Sequence, residues 1–393
     1  MADGDTTAQF YGLRRMSEHP DEFPRGFLPA SDPLPSLPGA VFASWNHAAN
    51  SLPQWITNGV VRAKIASLPD FPTDALGGQR EHEAAMRALS FLAHAFLLTG
   101  DVLPSLPAKL AVPWVAVSEL LGTPPVLNYN TFNLTNWTRL DPALPVALGN
   151  IAIAQHFLGG QDEQWFQMVH IAIEMVAARA VSVLKPMQAA AASEDGPTVL
   201  AHLTTLADTV GEMQRTLERM PEGCDPHIYY HRVRTYMFGW KDNPAFPNGL
   251  IYEGVSQTPR FLRGETGAQT ATIYAFDGAL GIEHGHDAFR AYLIEMRDYM
   301  PPAHRTFIAQ LESGPDVRGF VGRSGNIQLR DAYNAAVTAL QDFRIKHMEY
   351  AAMYIAQFAQ SDIKNSTAVG TGGTPFMRYL AQHRDATRKH LLA

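Results

Sequence analysis

From Gly78 onward, apolar residues recur every three to four positions along most of this chain, a period that only helices can use to bury one face. The segment from Glu81 to Leu98 carries the pattern, and so do residues 141 to 158, 163 to 185, 187 to 220, 267 to 281, 286 to 298 and 328 to 360. Alternating β-branched runs bounded by hairpin turns are almost absent, which argues against a substantial sheet, so the expected class is all-α. Residues 18 to 54, with HPDEFPRGFLPASDPLPSLPG, are too rich in proline for long helices and read as an extended arm over the surface. Paired prolines at 124 and 125 interrupt the helical pattern, which suggests a small N-terminal domain, 1–125, and a large all-helical domain, 126–393.

With 393 residues, 46% hydrophobic and 18% charged, the chain can bury a sizeable core. A formal charge of -7 with no basic run makes nucleic acid an unexpected partner. The single cysteine, Cys224, excludes an intrachain disulfide and cysteine-rich metal sites, and it fits a reducing cytoplasm. No apolar run of membrane-spanning length and no signal-like N-terminus is apparent, so a soluble, cytoplasmic protein with no membrane partner is expected, as a monomer.

Two of the 15 histidines sit on apolar helical faces. His347 shares one with Ala336, Leu340, Phe343, Tyr350, Ala351 and Tyr354, a rigid greasy setting that suits either an axial haem ligand or a satisfied core histidine. His170 lies in a stripe with Phe166, Val169, Ile173 and Ala177, where it could orient a ligand, move a proton or make a structural hydrogen bond. Arg234 sits among Tyr229, Tyr230, Tyr236, Phe238 and Trp240, a costly place for a guanidinium without an anion. A substrate carboxylate or an internal Asp or Glu could supply that anion. AVGTGGTPFM cannot be helical, and it serves either as a lid or as a connector.

RGFLP, LAVPW, PPVLNYN, Asn136–Trp137, GWKDNP, YEGV, MRDYMPPAHR and GTGGT, in that order and spacing, resemble the indoleamine 2,3-dioxygenase family over nearly the whole chain. The resemblance implies a large helical haem-binding domain that uses ferrous haem b and O2, with an electron donor as partner, to cleave the indole C2–C3 bond of L-tryptophan or a related indoleamine into N-formylkynurenine. It makes His347 the proximal iron ligand, with Arg344 one turn earlier meeting a propionate or supporting that helix. Arg234 would pair with the substrate carboxylate, and Tyr129, Phe166 and Tyr229 would wall the indole pocket. Thr266 lies in the matching RGETGAQT loop, and Thr371 of GTGGT would contact the substrate ammonium or close the site as a lid.

Three positions depart from the family pattern. His170 stands where the animal indoleamine enzymes carry serine and the related tryptophan 2,3-dioxygenases carry histidine, which points to a microbial branch and to a catalytic imidazole near the indole N–H. Tyr229 replaces a familiar phenylalanine, and Glu265 replaces a glycine beside Thr266 with no evident reason. These departures leave open a haem enzyme that oxidises another indole without ring cleavage, or a non-catalytic haem or gas-binding protein.

Overall fold

The computed structural model describes residues 23–285, 288–358 and 370–393. It is dominated by thirteen α-helices and has only short strands, as the periodicity requires. The N-terminal part holds β1 (Pro24–Phe27), α1 (Ala43–Thr57), α2 (Val61–Ala66), α3 (Gln79–Leu98), β2 (Ser105–Leu106) and α4 (Ala108–Leu121). The extended arm is therefore shorter than the proline content suggested. Helix α1 begins at Ala43 and tolerates Pro53 within it, while buried Trp45, Leu52 and Trp55 hold one of its faces against the core.

The expected helix over 141 to 158 does not form. That stretch instead holds turns and β4 (Ile151–Ile153), which pairs antiparallel with the preceding β3 (Trp137–Arg139). Pro142 and Pro145 deny helical hydrogen bonds, and the Asn150 amide fixes the turn by donating to the carbonyls of Asp141 (3.0 Å) and Pro145 (2.9 Å).

The long helices that follow form the frame of the molecule. Helix α5 (Gln161–Ala192) starts where the Glu163 carboxylate accepts from the amides of Phe157, Leu158 and Gly159 at 2.6 to 2.9 Å, which satisfies the buried donors of the loop leading into the helix and fixes its start. The pattern over 187 to 220 is broken at Ser193–Asp195, where Asp195 caps α6 (Gly196–Leu217). A short α7 (Pro226–Ile228) runs into the π-helical Tyr229–Val233 and the 3-10 turn Arg234–Tyr236. Then come β5 (Leu250–Tyr252), β6 (Ser256–Arg260), α8 (Ala271–Leu280), α9 (Ala288–Arg297), α10 (Pro302–Glu312), α11 (Val317–Ser324), α12 (Ile327–Ala351) and α13 (Phe376–Arg388).

Helix α6 packs against both α5 and α12, α8 and α10 close one side, and α13 lies along α12. The apolar core runs without a break from Phe27 through Leu127 to Tyr354, across the paired prolines. By length and composition α5 could cross a membrane, yet 61% of its most apolar window is buried inside the protein. It also carries buried Glu163, Gln167 and Glu174, as the central helix of a globule can when partners are at hand.

Candidate active site

One cavity is bounded by α5, α6, α8, α12, the turn at 229–237, the loop at 265–270 and the glycine-rich loop at 370–374. Of the residues singled out in the sequence, Tyr129, Phe166, His170, Tyr229, Arg234, Thr266, Arg344, His347 and Thr371 all line it. So does Glu265.

Three π-helical segments border this space: Asn130–Leu134 directly after Tyr129, Tyr229–Val233, and Ala352–Ala356, which follows α12. Such local widenings, common at functional sites, turn Tyr129, Tyr229 and Tyr354 toward the same cavity. The aromatic wall is continuous. Phe166 lies 4.7 Å from Tyr229 and 4.4 Å from His170 between ring centroids, and Tyr354 meets Tyr229 edge-on at 5.7 Å.

The two histidines face this space from opposite helices and differ in their partners. On α5, His170 Nδ1 sits 2.7 Å from the Phe166 carbonyl oxygen. A carbonyl only accepts, so Nδ1 carries the proton and Nε2 keeps its lone pair. On α12, His347 has no hydrogen-bond partner among the described residues. What surface it retains faces the cavity, and burial first, then the nearby His170, push its pKa down to about 4. It is therefore a neutral imidazole with a free ring nitrogen in apolar surroundings. That is the donor an axial position on haem iron calls for, so the residues present fit this group.

Arg344, one turn before His347, donates to both oxygens of Asp277 at 2.7 and 2.8 Å and to the Thr387 hydroxyl. Of the two roles expected for it, these bonds serve the second, since they tie α12 to α8 and α13. The guanidinium also holds the Asp277 carboxyl well below the usual range, against the opposing pull of burial.

Arg234 is fully buried, with its guanidinium 4.6 Å from the Phe238 ring and 5.7 Å from that of Tyr230. Burial lowers its pKa to about 10, and it stays a cation at neutral pH.

The glycine-rich loop is tightly folded where it is described. Gly370 N–H donates to the Thr374 carbonyl (2.7 Å), Gly373 N–H to the Gly370 carbonyl (2.8 Å), and Arg263 clamps the Gly372 carbonyl (2.6 Å). Gly373 has φ +76, and a Cβ there would meet the Lys241 carbonyl, so glycine is required. Thr371 donates its hydroxyl to the Glu265 carbonyl, which docks the loop on the segment that also carries Thr266. The Ala368–Val369 portion of that motif lies outside the described residues.

Sequence reasoning missed Glu174. This buried α5 carboxyl lines the cavity and accepts from Tyr129 Oη (3.0 Å), Thr270 Oγ1 (2.6 Å) and Thr272 Oγ1 (2.5 Å), and burial raises its pKa. Its place one turn after His170 was the available signal.

A family model described as Indoleamine 2,3-dioxygenase matches residues 22–390. Among relatives, Indoleamine 2,3-dioxygenase 1 of Rattus norvegicus is 35% identical over 97% of both chains, and Indoleamine 2,3-dioxygenase 2 of Homo sapiens is 36% identical over 93% of both. A protein named Myoglobin from Haliotis madaka is 31% identical over 93% of this chain and 95% of its own. Matched end to end in this way, the chain belongs to the indoleamine 2,3-dioxygenase family and is a haem-dependent dioxygenase that acts on a small molecule.

Proposed function

We propose that this protein cleaves the C2–C3 bond of the indole ring of L-tryptophan or a close relative with O2, giving N-formylkynurenine. The observation that carries this reading is the cavity that joins an unpartnered neutral imidazole, His347, to a second imidazole with a free acceptor nitrogen, His170, and to a buried cation, Arg234.

His347 would hold the iron of haem b from the α12 side, with Arg344 and Asp277 keeping that helix in register. The bound haem, in its ferrous state, supplies the activation of dioxygen. Arg234 offers its guanidinium to the substrate carboxylate in a site from which water is excluded, where such a pair is strong and directional. Tyr129, Phe166 and Tyr229 confine the flat ring, and the bare Nε2 of His170 is oriented by its own backbone bond to accept from the indole N–H. Thr371 on the docked glycine-rich loop, which would act as a lid, and Thr266 on the segment beneath it would border the ligand. Positioning of this kind supplies much of the rate.

A relative named Myoglobin raises the alternative of oxygen storage, which an apolar pocket and one histidine would serve. The match of 35 to 36% to proteins named Indoleamine 2,3-dioxygenase, against 31% to that relative, favours the dioxygenase reading. The test is anaerobic reduction of the haem-loaded protein followed by L-tryptophan and 18O2. Formation of N-formylkynurenine carrying two labelled oxygens is expected, and binding of O2 without product would refute the reading.

A further inference from the structure

The Glu265 carboxyl is absent from the reading above, yet it is one of the least solvated acids in the molecule. Its residue is 2% exposed, and it lines the cavity directly. Its backbone is fixed with unusual firmness. The Glu265 amide donates to the Met237 carbonyl at 3.0 Å, and Thr371 binds the Glu265 carbonyl. The preceding Gly264 is pressed so closely on Met237 and Gly239 that a Cβ there would overlap their backbone. The side chain is therefore held at one place on the cavity wall.

Its partners do not satisfy it. Among the described residues, Oε1 accepts a single 3.2 Å bond from Asn133 Nδ2, and Oε2 has no partner. Asn133 is itself fully buried, and its Oδ1 also lacks a partner among the described residues. In either orientation of the amide, one atom of each residue remains unmet. Buried polar groups left half satisfied cost stability, and a ligand that completes the Glu265 carboxyl recovers part of it. Burial pushes the Glu265 carboxyl up to about 8, so at neutral pH it is largely the uncharged acid, which can both donate and accept.

The place of Glu265 on the cavity wall indicates which part of a ligand it meets. Gln269 accepts from the Tyr129 amide (2.9 Å) and donates to the Gly264 carbonyl (2.9 Å), so Glu265 stands beside Tyr129 among the aromatic residues that line the cavity. A ligand whose ring rests against Tyr129 would bring the edge of that ring toward Glu265.

Building on the function proposed above, we propose that Glu265, held from behind by Asn133, is a recognition point for a hydrogen-bonding substituent on the benzo ring of the indole, so that the preferred substrate is a ring-hydroxylated tryptophan. A ring hydroxyl accepts from the acid proton or donates to the unmet carboxyl oxygen, whereas an unsubstituted ring leaves that oxygen unmet. Sites built around such a group reject ligands that lack it far more strongly than apolar pockets reject an added atom.

The test uses the haem-loaded full chain and measures kcat/KM, together with ligand-induced Soret shifts, for L-tryptophan and its 4-, 5-, 6- and 7-hydroxy derivatives. At least one hydroxy isomer is expected to exceed tryptophan by about tenfold or more in the wild type. Glu265→Gly is expected to bring that ratio to within about threefold of unity, and Glu265→Gln, which keeps a hydrogen-bonding head of similar size, to retain most of it. If Glu265→Gly fails to load haem, the glutamine variant and an Asn133→Val variant, expected to lower the ratio, carry the comparison. Tryptophan preferred over every isomer by the wild type, or a preference unchanged in Glu265→Gly, would overturn the inference while leaving the dioxygenase reading intact. Failure of every indole to shift the Soret band or to turn over would overturn both.

Discussion

His94 and His347 both sit on long helices, the first fully buried and the second half-buried, and they have opposite surroundings. His94 on α3 has both nitrogens in use: Nδ1 donates to the Tyr236 carbonyl at 2.9 Å, and Nε2 accepts from the Leu127 amide at 2.9 Å. It stands between Trp114 and Trp240 with no exposed surface, and it stitches α3 to the turn that carries Arg234. Among the described residues, His347 on α12 has no partner for either nitrogen, and it lines a cavity. Burial lowers both pKa values to about 4, so desolvation alone does not tell a structural histidine from a ligand in waiting. The unused hydrogen-bonding capacity does, and folding tolerates it only where something else is to occupy it.

The same distinction predicts how the other buried polar groups respond to substitution. The largest effect is expected for Arg234→Gln, which keeps the bulk and removes the cation. In steady-state assays kcat/KM for L-tryptophan should fall by about a hundredfold or more, with a much smaller loss for an indole that lacks the carboxylate. Equal losses on both would mean that Arg234 supports the fold, as His94 does.

Next comes His94→Ala, which strands a buried amide and a buried carbonyl. It should cost about 3 kcal/mol in chemical denaturation and leave the Soret band of the loaded protein unchanged.

A third effect of similar origin appears in the pH dependence. In the unfolded chain a histidine takes up its proton near pH ~6.5, and in the fold His94 takes it up only near 4. Between these values the unfolded state holds more protons. Stability from this group is therefore full above about pH 6.5 and declines as pH falls toward 4, by about 3 kcal/mol in all. Denaturation midpoints across that window should show a flatter slope in His94→Gln than in the wild type.

The smallest effect is expected for His170→Ser. Losing the Nε2 acceptor should narrow the preference for tryptophan over its indole N-methyl derivative by about tenfold, and an unchanged ratio would mean that His170 does not meet the indole N–H.

Much of this architecture was legible in the amino-acid pattern because helical periodicity records which face is buried. The stripes around His170 and His347 put both side chains on inward faces of α5 and α12, where the structure has them. The pattern failed at 141 to 158, where Pro142, Pro145 and the Asn150 turn outweighed apolar spacing, and at Ala43–Thr57, where buried tryptophans outweighed proline. The site's residue types were readable, but their completion was not. Whether a buried histidine is satisfied depends on backbone groups far away in the chain, as Tyr236 is from His94, and no local spacing encodes such a contact. The π-helical turns that aim Tyr129, Tyr229 and Tyr354, and the half-met pair of Glu265 with Asn133, belong to the same class.

The most direct measurement is the optical spectrum of His347→Ala beside that of His94→Ala, each purified after haem supply and checked for helix content by circular dichroism. With helicity retained, His347→Ala should lose the Soret band of bound haem or show one altered by loss of its axial nitrogen, with added imidazole restoring the original, while His94→Ala keeps the wild-type spectrum at lower stability. A wild-type Soret spectrum in His347→Ala would contradict the account.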